Sequence, residues 1–313
     1  MIEPPKLDEK TLADAIADAW VLDVTGLTFL PVGLEGWTYR VDTVTGDSYF
    51  LKLRKEASDA AALEVPRALV KQGIDRVVAP IAADTGELNF PVAGHWLLLY
   101  PYIASSNLWD TGLTEPQWIE YGRLMAAIHA AAPPPDTAMP VEKFATTAPD
   151  SLRAMADVAP SVPDLADLWA ARGTRLLHLA DETEHLAAAA ADIGADLVLC
   201  HTDIHLGNLL ADRTGRLNII DWDAPILAPK ERDLMFPFSS AFSDAPPDPR
   251  HKHLFRTGYG PLDLDPTLMA YYQTERTIDD IAQFLAAVAD PAVGAATRAN
   301  ALHWLQVAVG ERT

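Results

Sequence analysis

The stretch from Leu197 to Asp223, LVLCHTDIHLGNLLADRTGRLNIIDWD, decides the fold of this chain. Short apolar runs alternate in it with polar residues and a Thr-Gly turn, a pattern that predicts strand, loop, strand, turn and strand. The first loop reads H-x-D-x-x-x-x-N, formed by His201, Asp203 and Asn208, and Asp221 follows the last apolar run. Because rigid strands commonly position the polar loops of active sites, this stretch predicts a reactive centre.

The acids and the amide of this stretch suit phosphoryl transfer. That reaction needs a carboxylate to orient and deprotonate a substrate hydroxyl, and oxygen ligands for the Mg²⁺ that bridges nucleotide phosphates. Asp203 is predicted to be the catalytic base, and Asn208 and Asp221 are predicted to hold Mg²⁺. Asp223 is predicted to assist the metal or to bind an amine of the acceptor.

These residues also carry a resemblance to a known family. The loop resembles the kinase catalytic loop H-R-D-x-x-x-x-N, with Thr202 in place of arginine, and Ile220–Trp222 (IDW) stands where kinases have Asp-Phe-Gly. The string IIDWDAPILAPKERDL resembles spectinomycin phosphotransferases, within the aminoglycoside phosphotransferase and choline kinase branch of the protein-kinase-like fold. In that family the segment after the metal aspartate contains an acid that braces the catalytic loop, and here this acid is Asp233.

The resemblance implies a bilobal α+β protein. Residues 1–101 are expected to form an N-terminal lobe with an antiparallel nucleotide-binding sheet, and residues 102–313 a larger, mostly helical lobe. Apolar periodicity independently favours strands before Arg54 and helices after Glu115. The Pro- and Gly-rich segment Pro246–Pro266 is predicted to be irregular.

Lys52 lies between apolar residues of a predicted strand, YFLKLR. In the kinase-like context it matches the strand lysine that pairs with nucleotide phosphates and with an acidic partner. Glu64 is the predicted partner, with Glu56 as the alternative. Pro66 argues that Glu64 lies near the start of a helix, since proline fits a first helical turn and not a helix interior.

Two further segments are predicted to contact the nucleotide. Gly36 belongs to a Gly-containing turn between strand candidates that resembles the nucleotide-covering loop of kinases. The end of the run WLLLYPYI, with Tyr100, Pro101 and Tyr102, is where kinase-like lobes join and backbone groups bind adenine. The phosphate-loop pattern G-x-x-x-x-G-K-[ST] does not occur in the chain, which excludes that class of nucleotide-binding protein.

A zinc site is the competing interpretation of the histidines. His201 and His205 have the i, i+4 spacing of the H-E-x-x-H motif. That motif requires a helix and a glutamate after the first histidine, whereas Thr202 occupies this position and Gly207 shortens any helix. His201 is therefore predicted to be a structural brace of the loop.

Composition narrows the class of partner and the compartment. With 24 basic and 44 acidic residues the formal net charge is −20, which disfavours nucleic acid and favours a cationic small molecule. A single cysteine, Cys200, excludes an internal disulfide and is typical of a cytoplasmic protein, and no signal-like or membrane-spanning segment is expected. The sequence does not predict an oligomeric state.

The acceptor is the least determined partner. The segment that contains Tyr272, Glu275 and Asp279 resembles the spectinomycin kinases. Glu275 and Asp279 are i, i+4 neighbours on one face of a predicted helix, and these three residues are predicted to contact the acceptor. A structural bridge from Glu275 to Arg276 or Arg232 explains the same pattern.

The sequence thus predicts an ATP- and Mg²⁺-dependent kinase that phosphorylates a hydroxyl of a small cationic acceptor. An aminocyclitol or aminoglycoside is the acceptor implied by the resemblance. Kinases of choline, homoserine, methylthioribose or fructosamine share the fold and remain alternatives, as does a nucleotide-binding module without catalysis. The presence of Lys52, Asp203, Asn208 and Asp221 together argues against the last.

Overall fold

The computed structural model describes residues 3–32, 36–239 and 248–310. The chain divides into two compact units. The first consists of Met1–Pro140, His201–Ile226 and Leu254–Gly260, and the second of Val141–Cys200, Leu227–His253 and Pro261–Thr313. From His201 to Asp223, the catalytic stretch thus belongs to the same unit as the N-terminal sheet. The predicted lobes, 1–101 and 102–313, are a different division of the chain, and their boundary stays a prediction.

The strands form one larger sheet and two small ones. In chain order the strands are β1 (Val24–Leu30), β2 (Trp37–Thr43), β3 (Ser48–Arg54), β4 (Phe90–Val92), β5 (His95–Pro101), β6 (Ser106–Asn107), β7 (Val198–Cys200), β8 (Leu209–Ala211), β9 (Leu217–Ile219) and β10 (Ile226–Ala228). The five-stranded sheet has the order β1-β2-β3-β5-β4 and is antiparallel throughout. Strands β6, β8 and β9 form a second sheet, and β10 pairs with β7.

Helices make up most of the remaining chain. They are α1 (Glu9–Trp20), α2 (Ala60–Lys71), α3 (Leu108–Thr111), α4 (Glu115–Ala130), α5 (Ala148–Val158), α6 (Pro163–Ala191), α7 (Glu231–Phe238), α8 (Pro249–Tyr259), α9 (Pro266–Ala289) and α10 (Ala295–Ala308). Among the described residues no helix is both long and apolar enough to cross a membrane. The sheet near the N-terminus and the helices after it confirm the predicted α+β, kinase-like fold class.

The two faces of the five-stranded sheet carry different residues because successive residues of a strand alternate between them. Leu51 and Leu53 of β3 are fully buried on the face that packs against α1, where Leu12 and Ile16 meet them. Lys52 lies between these leucines in the strand and therefore faces the opposite side. The packing of α1 against one face thus leaves the other face available for polar side chains.

The second unit is a helical assembly with its own core. Helices α5, α6, α9 and α10 share one cluster of buried residues, among them Leu152, Leu176, Ile278, Leu285 and Leu305. Helix α9 begins at an N-cap, Asp265, whose carboxylate accepts from the backbone N–H groups of Thr267 and Leu268.

The prediction of an irregular segment at Pro246–Pro266 is wrong for residues 249–259, which form α8. Its glycine, Gly258, lies at a close crossing with Gly122 of α4. A Cβ on Gly258 would overlap the carbonyl oxygen of Ile119, and one on Gly122 would overlap that of Phe255. These glycines therefore allow close helix packing and do not mark a loop.

Candidate active site

The stretch that carries the predicted site contains two strained backbone positions, one in the catalytic loop between β7 and β8 and one in the segment after β9. Thr202 has φ = 77° and Asp221 has φ = 64°, a left-handed conformation that costs energy in a residue other than glycine. Thr202 Oγ1 donates to the carbonyl oxygen of Ala224 at 3.1 Å, which ties the two segments together. Such strain is retained where the surrounding contacts fix it, and it is concentrated at functional sites.

His201 joins the two segments through both ring nitrogens. Its Nδ1 accepts from the backbone N–H of Asp203 at 3.2 Å, so the proton resides on Nε2, which donates to the carbonyl oxygen of Ile220 at 2.8 Å. The ring is almost fully buried and lies 4.5 Å from the ring of Trp222. These contacts are those expected of a brace.

The same contacts bear on the zinc alternative. Both nitrogens of His201 are engaged in hydrogen bonds to the backbone, and the residues from His201 to His205 do not form a helix. The two imidazoles therefore lack the shared helical face that an H-E-x-x-H site requires.

Asp203 and Asn208 are in direct contact. The Asn208 side-chain nitrogen donates to the backbone oxygen of Asp203 at 2.7 Å and to its Oδ2 at 3.1 Å. Because a carbonyl oxygen can only accept, these bonds fix the orientation of the amide. Asn208 Oδ1 is consequently directed away from Asp203 and accepts no hydrogen bond from a described residue.

His205 is a neighbour of the predicted base that the sequence interpretation did not assign to catalysis. Its Nε2 lies 3.5 Å from Asp203 Oδ1, while its Nδ1 accepts from the backbone N–H of Gly207 at 2.9 Å. Trp109 packs edge-on against its ring at 5.5 Å. The pattern H-x-D-x-H places His205 two residues after Asp203 and could have indicated their contact. The two histidines were considered only as a zinc pattern.

Lys52 meets the two acids that follow β9. Its Nζ lies 2.6 Å from Asp221 Oδ1 and 2.5 Å from Asp223 Oδ2. Arg54, two residues along β3, contacts the same Asp223 oxygen at 2.8 Å. Burial alone would lower the pKa of Lys52, but the two carboxylates outweigh it and raise that pKa above its ordinary value. For Asp221 burial opposes ionisation, yet the nearby Lys52 ammonium holds its pKa below the usual range.

The structure does not bring Lys52 to its predicted partner, Glu64. The Glu64 carboxylate instead lies 3.2 Å from Arg67, one turn along α2, and the alternative Glu56 is exposed before that helix. Pro66 lies inside α2, whose first residue is Ala60. Glu64 is thus the fifth residue of α2. It does not lie in the first turn, where Pro66 had led us to expect it.

The oxygen donors of this site fit a hard divalent cation. Asn208 Oδ1 and the carboxylate of Asp221 are the ligand types that Mg²⁺ prefers, and no sulfur competes with them in this loop. Gly36 follows residues 33–35, which lie outside the described residues, so the predicted nucleotide-covering loop is described only at its end. A Cβ on Gly36 would lie 2.7 Å from the carbonyl oxygen of Leu53, so glycine permits a close approach to β3.

Comparisons with known proteins identify the family of this chain. Residues 26–258 match the phosphotransferase enzyme family. The chain belongs to this family. It is thereby a small-molecule phosphotransferase, as the sequence resemblance had predicted. A comparison with curated proteins gives no match.

Solved structures of similar fold include two of spectinomycin phosphotransferase APH(9)-Ia. The complex with ADP and spectinomycin has a TM-score of 0.83 at 24% identity, covering 98% of each chain. The AMP-bound complex has a TM-score of 0.81 at 26% identity, covering 96% of this chain and 97% of the other. Choline kinase LicA from Streptococcus pneumoniae shares the fold more distantly, with a TM-score of 0.60 at 15% identity over 97% and 99% of the chains.

The predicted hinge residues of this phosphotransferase lie at and after the end of β5. Tyr100 pairs with Phe50 across the sheet, and its ring lies 6.5 Å from the Phe50 ring. Burial raises the pKa of Tyr100, and Asp223 and Asp221 contribute to the increase. Pro101 ends β5, and Tyr102 follows it with the guanidinium of Arg40 5.0 Å from its ring centre.

Of the predicted acceptor residues, Asp223 lies in the first unit, whereas Tyr272, Glu275 and Asp279 lie in the second. Tyr272 is fully buried, with Arg232 5.3 Å over its ring, and Arg232 Nη1 pairs with Glu142 Oε2 at 2.8 Å. Burial raises the pKa of the Glu275 carboxyl, whereas the charge of Arg232 acts to lower it. Asp279 Oδ2 accepts from the side chain of Gln283 at 2.8 Å.

The sequence left open whether Arg276 or Arg232 interacts with Glu275. Arg276 pairs with Asp280 at 3.0 Å, so Arg232 is the arginine whose charge acts on Glu275. Glu142, which the sequence interpretation missed, completes this cluster from a segment far away in sequence. Asp233 is fully buried in α7, and its role as a brace of the catalytic loop stays a prediction.

Proposed function

We propose that this phosphotransferase transfers the γ-phosphate of ATP to a hydroxyl of a small cationic acceptor, an aminocyclitol such as spectinomycin. The observations that support the proposal are the contact of Asn208 with Asp203, the Lys52–Asp221 ion pair and the electrostatic effect of Asp203 on Asp221, all within the first unit. Phosphoryl transfer depends mainly on positioning and charge stabilisation, and this set supplies both.

Asp203 is the proposed base. Its carboxylate receives the proton of the acceptor hydroxyl as that oxygen bonds to the γ-phosphorus and the bond to the ADP oxygen breaks. The Asn208 amide and the nearby His205 ring hold the carboxylate in place.

Nucleotide binding is the part of the proposal with the broadest support. Structures of similar fold contain ADP, AMP or, in amicoumacin kinase hAmiN, AMP-PNP with Ca²⁺. Asn208 Oδ1 and Asp221 would hold Mg²⁺, which supplies charge neutralisation to the phosphates when it is bound. Lys52 is the side chain placed to bind phosphate oxygens, and Asp223 shares its charge.

The choice of a cationic acceptor has two supports. The chain carries a net charge of −20, so its field attracts cations. The structure with a TM-score of 0.83 is that of a spectinomycin phosphotransferase with spectinomycin bound. Glu275 and Asp279 are the proposed acceptor carboxylates, and phosphorylation of an antibiotic would make the protein a resistance enzyme. Because Tyr272 is fully buried, its proposed part is to support Arg232 and Glu275.

The experiment is a direct acceptor panel. Purified protein with Mg-ATP is given spectinomycin, kanamycin, choline, homoserine or methylthioribose, and ADP release and the mass of the product are measured. We expect phosphate transfer to spectinomycin and not to choline. Turnover of a metabolite alone would reject the antibiotic assignment and retain the kinase. An absence of nucleotide binding and of turnover with every acceptor would support the non-catalytic alternative.

A further inference from the structure

A cavity of about 500 Å³ opens in the first unit beside the predicted hinge. Three segments line it: Arg40 of β2, the residues Tyr102, Ala104 and Ser105 after β5, and residues 211–213 at the end of β8. Its volume lies within the range of sites that bind small ligands.

Arg40 is held in a fixed orientation at this cavity. Its Nε donates to Asp42 Oδ1 at 2.9 Å and its Nη2 donates to Ser48 Oγ at 3.1 Å, while the guanidinium lies over the Tyr102 ring. Ser48 in turn donates to the same Asp42 oxygen at 2.6 Å. A guanidinium has five N–H donors, and those on Nη1 have no hydrogen-bond partner among the described residues.

The polar groups of the cavity wall favour a ligand that offers hydrogen-bond acceptors. Arg40 and Arg213 contribute only donors. The Asp212 carboxylate is already engaged, since its Oδ1 accepts from Thr214 and from the Arg216 backbone, and its Oδ2 accepts from Arg76 at 2.9 Å. Two guanidinium groups therefore line this cavity, and they offer hydrogen-bond donors to a ligand that carries acceptor atoms.

The position of the cavity relative to Lys52 follows from the strand register. Thr38 pairs with Lys52, and Arg40 pairs with Phe50. Alternate residues of a strand share a face, so Arg40 and Lys52 lie on the same face, with Arg40 displaced by two residues, or about 7 Å, along the strands. A nucleotide with its phosphates at Lys52 can extend along this face towards Arg40.

We propose that Arg40 sets the affinity for the nucleoside end of the nucleotide, for which the kinase-like resemblance already implies a place beside the hinge. The inference rests on the proposed function and adds a residue that determines nucleotide affinity. Nη1 of Arg40 donates to acceptor atoms of the ribose or base, and Tyr102, Asp42 and Ser48 hold the guanidinium ready for that contact. Arg40 touches neither the γ-phosphate nor the acceptor, so its effect falls on binding and not on turnover.

The test compares two ligands, ADP and inorganic tripolyphosphate, which lacks a nucleoside. Dissociation constants are measured by calorimetry for the wild type, for Arg40→Met and for Arg153→Met. Arg153 pairs with Asp181 and Glu184 in the second unit, so the control removes the same charge elsewhere. Arg40→Met should weaken ADP binding about tenfold or more, because hydrogen bonds to charged groups are among the stronger ones. Tripolyphosphate binding should change less than about twofold, and Arg153→Met should alter neither.

Kinetics supply a second measurement. Arg40→Met should raise KM for ATP in proportion to the loss of ADP affinity and leave kcat within about twofold. Tyr102→Leu removes the ring under the guanidinium. It should also weaken ADP binding more than tripolyphosphate binding, but by a smaller factor than Arg40→Met does. If circular dichroism shows that Arg40→Met does not fold, Tyr102→Leu takes its place in the test.

The outcomes separate the inference from the proposed function. Unchanged ADP binding in a folded Arg40→Met, or in Tyr102→Leu if that variant must replace it, overturns the inference. An equal loss of ADP and tripolyphosphate also overturns it, because Arg40 would then act on phosphate. A wild-type protein that binds tripolyphosphate but no ADP overturns it as well. A wild type that binds neither ligand contradicts the proposed function itself.

Discussion

Asp223 Oδ2 lies 2.5 Å from the ammonium nitrogen of Lys52 and is shared with Arg54. Asp223 thus makes the ion pair that the sequence interpretation had given to Glu64. The distinction has a measurable consequence. Asp223→Asn should weaken the placement of Lys52 and raise KM for ATP roughly tenfold, whereas Glu64→Gln should change it less than about twofold. Steady-state kinetics at saturating acceptor decide this, and a larger effect from Glu64→Gln would restore the predicted pairing.

Replacement of the proposed base should remove turnover and leave nucleotide binding intact. Asp203→Asn keeps the size of the side chain and an oxygen for the Asn208 contact, but it cannot accept the hydroxyl proton. We expect kcat to fall by roughly 10²-fold or more, as is typical of a lost general base. ADP affinity, measured by calorimetry, serves as the control. Near-normal kcat on the best acceptor would remove Asp203 from this role.

The proposed role of Asp221 as a Mg²⁺ ligand can be tested by ADP affinity, without measuring turnover. Mg²⁺ should strengthen ADP binding to the wild type, and Asp221→Ala should abolish that strengthening, because the variant lacks a carboxylate ligand. Removing Asp221 also removes one partner of Lys52, so ADP binding without Mg²⁺ is the baseline for each protein. A full Mg²⁺ effect in Asp221→Ala would contradict the assignment. Chelators selective for Zn²⁺ should leave turnover unchanged.

The sequence predicted the part of the site that is local in the chain. Asp203, Asn208 and His201 lie within eight residues of one another, so the motif alone brings them together. The partner of Lys52 was not predictable in this way, since its two acids lie 169 and 171 residues away and the pairing depends on how the first unit folds. Glu142 and Arg232 illustrate the same limit, because 90 residues separate them.

Helix α8 was missed for a different physical reason. Glycine and proline in Pro246–Pro266 favour turns locally, but Gly258 is required at the crossing with α4, where tertiary packing overrides local propensity. Strand β2 was predictable because its alternation of apolar and polar residues reflects burial of one face of the sheet.

The crossing of α4 and α8 should be sensitive to a single methyl group. Gly122→Ala and Gly258→Ala both place a Cβ against a backbone carbonyl that cannot move without shifting a helix. We expect each to lower the free energy of unfolding by about 1–3 kcal/mol, as overpacked cores do. Gly26→Ala in β1 is the matched control, since a Cβ there meets no atom within 4 Å. Denaturant unfolding measures all three, and equal stabilities would show that the helices separate at little cost.

Glu275 should make the stability of the second unit depend on pH in an unusual direction. Its folded pKa is raised, first by burial and then by Asp279 and Glu142, although Arg232 opposes the shift. A raised carboxyl pKa contributes stability that is fully present below the unfolded pKa of about 4.3 and is lost as pH rises through the folded pKa. Glu275→Gln, which stays neutral, should therefore become more stable relative to the wild type as pH rises from about 4 to 7.

Glu184→Gln is the control of opposite sign for that experiment. Its hydrogen bond and ion pair with Arg153 lower the Glu184 pKa, so the wild type gains from this group above about pH 4.3 and loses the gain in acid. Thermal midpoints across this pH range should show the two variants diverging from the wild type in opposite directions. If Glu275 also binds the acceptor, Glu275→Gln should raise KM for spectinomycin without changing KM for ATP. A variant with the altered pH profile and an unchanged KM for spectinomycin would make Glu275 a structural partner of Arg232 and remove it from the acceptor site.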